Sequence, residues 1–186
     1  INARRMIRFF DILFSFLGLI ILSPIIIILI FLGIIENGSP LFRQKRVGIN
    51  QKIFFLLKFR TMHKNTKSTA THLVDFSKVT PFALFLRSTK LDEVPQLFNV
   101  LRGDMSLVGP RPSLFTQWKL ISERKKRGVL KVKPGITGWA QINGRNTITW
   151  EEKFELDCFY VDNISFKMDM KIVLMTIQKV LKRDGV

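Results

Sequence analysis

From Ile12 to Ile35 the chain runs 24 residues without a charge, and no other stretch limits the possible folds as much. As one straight helix it reaches about 36 Å, enough to cross the hydrocarbon core of a bilayer. It is too long for the apolar region of a signal peptide, and no small-residue cleavage site follows. Ser23-Pro24 falls at its middle. Proline removes one backbone hydrogen bond and crowds the preceding turn, so the spacing predicts a bend or break there, with halves of about 18 Å each. Arg4, Arg5 and Arg8 precede the run and Arg43, Lys45 and Arg46 follow it, whereas a spanning helix normally carries its Lys/Arg excess on one side. Positive charge at both ends is the pattern of a re-entrant hairpin. A single span is the competing reading.

The remaining composition agrees with a membrane setting. The 30 Lys and Arg against 14 Asp and Glu give a net charge of +16, while 47% of residues are hydrophobic and 17 are Phe. Basic and apolar together point to anionic lipid or phosphate-rich ligands. Nucleic acid is not expected, because no zinc-finger or RNA-binding motif accompanies the charge. Cys158, the single cysteine, excludes an intrachain disulfide and any multi-cysteine metal site. His63 and His72 lack ligand spacing. At 186 residues the chain is one domain in size, with residues 1–36 as the membrane hairpin and its basic flank and residues 37–186 as the rest of that same domain. It opens on Ile1 rather than Met, the pattern of a trimmed chain or of one that further residues precede.

Residues 41 to 62 read as two short strands around a Gly/Asn turn, the second ending in basic residues that include Lys58. Residues 63 to 80 read as a polar loop, and Pro81 opens a short apolar helix suited to a membrane interface or a buried position. In Leu91-Asp92-Glu93-Val94-Pro95-Gln96-Leu97-Phe98-Asn99-Val100-Leu101, the residues Val94, Leu97, Phe98 and Leu101 keep helical spacing. Pro95 belongs in a first turn, so the helix is expected to begin near Asp92 and to stop at Gly103. Two carboxylates then stand at its positive end, where they stabilise a helix whether or not they do chemistry. Pro112 holds Arg111 in an extended conformation, which aims its guanidinium; a fork fixed in direction suits phosphate, and a solvated arginine in a rigid turn is the alternative. Residues 115 to 131 form a basic helical stretch. The segment 134 to 146 is rich in turn formers, with glycines that would let backbone approach a phosphate or a base. An acidic helix from Glu151 to near Tyr160 and a last amphipathic helix from Asp169 complete the chain.

With these residues in order, the chain closely resembles the bacterial sugar transferases, small monotopic phosphoglycosyl transferases. The resemblance rests on the Ser-Pro hairpin, Lys58-Phe59-Arg60-Thr61-Met62, Leu86-Arg87, Leu91-Asp92-Glu93-Val94-Pro95-Gln96-Leu97, Gly109-Pro110-Arg111-Pro112, Pro134-Gly135-Ile136-Thr137-Gly138 and Asn143-Gly144-Arg145-Asn146. It is nearest to the minimal members that act on diacetamido sugars in protein glycosylation. Ala83 stands where the family pattern often has Gly, away from the acidic pair.

The resemblance implies an α+β, mainly helical fold: a re-entrant helix-break-helix, a small β-hairpin and amphipathic interfacial helices around a cytosolic active site. It implies an Mg²⁺-dependent transfer of a sugar-1-phosphate from a UDP-sugar to undecaprenyl phosphate, with release of UMP, at the cytoplasmic face of the bacterial inner membrane. Asp92 would be the nucleophile, forming a phosphosugar-aspartate, and Glu93 would assist the metal or the proton. Arg111, Lys58, Arg87 and Arg145 would bind substrate phosphate, with Gln96, Gln141 and Asp157 in the substrate or ion shell. Two readings of other classes compete: a membrane adaptor whose basic face binds anionic lipid while the acidic pair only caps a helix, and a membrane-tethered nucleic-acid binder.

Overall fold

The structure, a computed structural model, describes residues 3–62, 80–144 and 148–182. It begins with one helix, α1 (Ala3–Asn37), that contains Pro24. The helix continues through the expected break point, for a local reason. Pro24 has no N–H to offer the carbonyl four residues back, that of Ile20, and the Ser23 hydroxyl donates to that same oxygen at 2.7 Å. The serine replaces the lost donor. Residues 4 to 36 are long and apolar enough to cross a membrane, with a mean hydropathy of 3.1 over an 18-residue window within them. Phe16, Ile21, Ile27, Phe31 and Ile35 are more than half exposed, a continuous apolar surface that is stable against lipid and not against water.

One face of α1 is fastened to the rest of the molecule. Arg8 donates to the carbonyls of Val100 and Leu101 at 2.6 and 2.9 Å, satisfying the last turn of α3 (Gln96–Arg102). One turn on, the Asp11 carboxylate accepts from the Ser106 hydroxyl and the Leu107 amide at 3.0 and 2.9 Å. Further along, Gly18 lies against the Leu97 side chain, and Leu29 is buried with Phe59 and Leu86. Helix α2 (Pro81–Ser88) supplies Leu86, with Pro81 in its first turn and Thr80 as its cap.

Strands β1 (Leu41–Val47) and β2 (Ile53–Phe59) pair antiparallel, as their alternation predicts, and the short strand β4 (Ser113–Leu114) adds to the other side of β1. The exposed edge of β2 is closed by Asn99, which is fully buried. Its side chain accepts from Leu57 N at 3.0 Å and donates to Phe55 O at 2.8 Å, covering an edge that would otherwise invite pairing. Beneath the sheet, Phe54 and Leu56 pack with Val100 and Met105.

A second, parallel pair joins β3 (Ser106–Val108) to β5 (Gly135–Thr137). The glycines expected to approach a phosphate serve this pairing. A Cβ on Gly135 would overlap the amide nitrogen of Gly109, and one on Gly138 the Gly109 carbonyl. Around the pair lie α4 (Trp118–Lys126), α5 (Trp139–Ile142), α6 (Trp150–Asp162) and α7 (Phe166–Leu181). Helix α6 opens on a complete capping box of Thr149 and Glu152. Val108, Ile142, Tyr160 and Ile172 form their common core. The architecture is α+β and mainly helical, as expected.

Within that core the Tyr160 hydroxyl donates to the buried Asp169 carboxylate at 2.8 Å. Burial pushes the Asp169 carboxyl up to about 6; the tyrosine opposes the shift and nearby Asp11 adds to it. A carboxyl raised on folding stabilises the fold while protonated and loses that contribution as pH rises through its folded value. We therefore expect the stability difference between Asp169→Asn and the native protein to shift by about 2–3 kcal/mol in favour of the variant from about pH 4 to about pH 7, as measured by unfolding in detergent at each pH.

Candidate active site

The acidic pair does not open an α-helix. Leu91–Glu93 is a 3-10 turn, Val94 and Pro95 continue it with helical torsions, and α3 starts at Gln96. The turn is entered through Lys90, whose φ of 60° is left-handed. Pro95 costs nothing there, since its missing N–H falls among the unsatisfied donors of a helix start.

Two separate segments converge on Glu93. From β2, Lys58 reaches its Oε1 at 3.1 Å; Lys58 follows Phe54 and Leu56 in the inward phase of the strand. From the Gly109-Pro110-Arg111-Pro112 loop, Arg111 reaches the same oxygen at 2.9 Å. Burial alone would raise the Glu93 carboxyl, but Lys58 and Arg111 outweigh it and hold Glu93 well below the ordinary carboxylate range. Glu93 in turn raises Arg111, and burial lowers Lys58 against the pull of Glu93.

Asp92 differs. It is 8% exposed, and its side chain accepts no hydrogen bond among the described residues. Burial raises its carboxyl, and the adjacent Glu93 charge raises it further. The two neighbouring carboxylates are thus driven in opposite directions, the arrangement in which one acts as a fixed charge and the other as a reactive group.

The other expected residues divide. Arg87 lies on α2 and donates through Nε to the Thr61 hydroxyl at 3.0 Å. Gln96 is buried one turn beyond Asp92, with its amide nitrogen unpaired. Gln141 folds back to the Ile136 carbonyl at 2.7 Å and makes no hydrogen bond to the pair. Arg145 lies outside the described residues. Asp157 does not face the pair: it is 2% exposed and bound to the buried guanidinium of Arg124. That guanidinium donates through its other arm to the Arg111 carbonyl at 2.8 Å and the Ser113 hydroxyl at 2.7 Å. Asp157 therefore stands behind the loop, one residue removed from it. Arg124 went unnoticed in sequence because it sits in a run of basic residues indistinguishable from a solvated face. Among the described residues no cluster of three or more potential metal ligands exists. Within the Asp92-Glu93 pair, Glu93 Oε1 is taken by Lys58 and Arg111, which leaves the Asp92 oxygens and Glu93 Oε2 as the carboxylate oxygens a cation could meet.

The family comparison agrees with the geometry. A bacterial sugar transferase model matches residues 2–183. The chain belongs to the bacterial sugar transferase family. Among its relatives is an uncharacterised sugar transferase of Bacillus subtilis strain 168, EpsL, 48% identical over 96% of this chain and 89% of its own length. The undecaprenyl-phosphate galactose phosphotransferase of Salmonella typhimurium strain LT2 is 36% identical over 99% of this chain and 42% of its own. For the UDP-glucose:undecaprenyl-phosphate glucose-1-phosphate transferase of Klebsiella pneumoniae the values are 39% identity, 92% and 39%. The chain spans less than half the length of the last two.

Removing Asp157 leaves a buried cation without its counter-charge. We expect Asp157→Ala to cost about 3–5 kcal/mol of stability, whereas Asp157→Leu combined with Arg124→Leu recovers much of that loss; thermal unfolding of the single and double variants measures both.

Proposed function

We propose that this protein transfers a sugar-1-phosphate from a UDP-sugar to undecaprenyl phosphate and releases UMP, with Asp92 as the nucleophile. The observation that carries the reading is the split acidic pair: Glu93 is neutralised by Lys58 and Arg111, and Asp92 beside it is free of hydrogen bonds among the described residues. The reactions named for the relatives from Salmonella and Klebsiella supply the substrate class.

An Asp92 oxygen attacks the phosphorus that bears the sugar. The bond from that phosphorus to the bridging oxygen breaks, and UMP leaves with the electron pair. An oxygen of the lipid phosphate then attacks the phosphosugar-aspartate, and the Asp92 carboxylate is the leaving group. Atoms and charge balance without a general base, because both nucleophiles are anions. Splitting the transfer in two lets a weak nucleophile serve. Arg111 and Lys58 present positive charge where the diphosphate would lie, and Arg87 and Arg145 are the further residues we assign to substrate phosphate. Asp92 and Glu93 would hold Mg²⁺, which when bound neutralises diphosphate charge.

The placement of α1 supports a monotopic, re-entrant setting at the cytoplasmic face, where UDP-sugars are made. Asp11 and Leu29 are separated by about 27 Å along a helix, close to the thickness of the hydrocarbon core, yet both are buried against the same domain. A helix crossing to the other side would carry one of them away from it. Single cysteines placed near residues 3 and 45, in a Cys158-free background, label from the same side of intact cells if the helix is re-entrant and from opposite sides if it spans.

With Mg²⁺ and undecaprenyl phosphate, at least one UDP-sugar from a panel of hexose, N-acetylhexosamine and diacetamido sugars should yield UMP, and Asp92→Asn should lower the rate by about 10³-fold or more. Activity falls on the acid side as Asp92 is protonated. Glu93→Gln removes the neighbouring negative charge that raises Asp92, so the acid limb of its pH-rate profile moves to lower pH. Undiminished turnover in Asp92→Asn overturns the nucleophile, and a panel without UMP release favours the adaptor.

A further inference from the structure

The loop that presents Arg111 is held from two sides by two other arginines, and one of them has no role in the reading above. Arg124 takes the Arg111 carbonyl and the Ser113 hydroxyl. The residue between them, Pro112, offers its carbonyl to Arg46 Nη1 at 2.8 Å. Arg46 comes from β1, 66 residues away in sequence, and is itself held: its Nε and Nη2 both donate to Gln44 Oε1, at 3.1 and 2.6 Å. Gln44 and Arg46 are two apart on one strand and share a face of the sheet with Leu56 and Phe54, their cross-strand partners. The pleat thus aims the fork of Arg46 at the loop, much as Asp157 aims that of Arg124.

We propose that Arg46, oriented by Gln44, is a positioning residue for the phosphate-binding arginine Arg111; this rests on the transfer reaction proposed above. The arrangement has a chemical reason. Arg111 lies between two prolines that cannot donate from their nitrogens, so its segment is poor in backbone donors and must be fixed through its acceptors. Three consecutive residues, Arg111, Pro112 and Ser113, each give an oxygen to a guanidinium from outside the loop. A lysine at position 46 keeps the charge but cannot donate in a planar fork to Gln44 and Pro112 at once. Charge and direction can therefore be separated by substitution.

Hydrogen exchange over residues 109–114 tests the clamp independently of any activity. Arg46→Lys and Gln44→Leu should each raise exchange in this segment at least about fivefold, with the segment 96–102 in α3 unchanged; equal exchange in variant and native protein overturns the proposal. In the transfer assay, Arg46→Lys should raise KM for the UDP-sugar about tenfold, whereas a merely structural loss lowers the active fraction and leaves KM in place. In an Arg111→Lys background the same change should add less than about twofold, because the two residues act as one unit. Independent, multiplying effects overturn the assignment. If the native protein releases no UMP from any UDP-sugar the transfer reading fails, and the exchange measurement still decides the clamp.

Discussion

One carboxylate oxygen, Oε1 of Glu93, joins three parts of the chain that are distant in sequence. Lys58 arrives from a strand, Arg111 from a proline-bounded loop, and Glu93 from a 3-10 turn, at 3.1 and 2.9 Å. A buried carboxylate with two cations is costly unless both are in place, so the contact ties the hairpin, the central helix and the loop to one geometry. The reactive character of Asp92 depends on it as well. Glu93 takes both cations in direct contact, and the Asp92 carboxyl is raised first by its burial and then by the Glu93 charge.

Rigid supports surround this junction. Asn99 locks β2 to α3 through two hydrogen bonds, so the strand carrying Lys58 and the helix that follows Asp92-Glu93 move together. The glycines of the β3–β5 pair permit a backbone approach that any side chain would block, which sets the entry of the Gly109 loop. Arg124 and Arg46 fix the loop from behind. The Arg124–Asp157 pair lies in a buried region where an ion pair contributes little net stability against an apolar replacement; what it supplies is direction.

Much of this was legible in the chain. The apolar run, the hairpin, the Pro81 helix, the Gly103 stop and the terminal amphipathic helix all have local causes, namely periodicity, capping and turn chemistry. The acidic pair and Arg111 stood out because two carboxylates together, and an arginine between prolines, are unusual patterns. The misreadings share a cause as well. Asp157 was placed in the ion shell, but its partner Arg124 lies 33 residues away and no local pattern marks the pairing. The glycines at 135 and 138 looked like a phosphate cradle because sequence shows only that a close approach is allowed, not which backbone makes it. Arg46 reads as one more basic flank residue until the strand register turns it inward. At Pro24 a bend or break was expected; the helix is continuous there, and the Ser23 hydroxyl takes the Ile20 carbonyl that proline leaves without its donor.

Arg8 and Asp11 give the membrane helix a further meaning. They grip the C-terminal end of α3 and the start of β3, while the N-terminal end of α3 continues directly from the Asp92 turn. The lipid-immersed helix and the acidic pair are therefore parts of one stiff lever, pinned at two points a single helical turn apart. A bilayer that is too thin or too thick exerts a restoring force on an embedded helix. Any such force on α1 would pass first to α3 and the start of β3, the two elements that Arg8 and Asp11 hold.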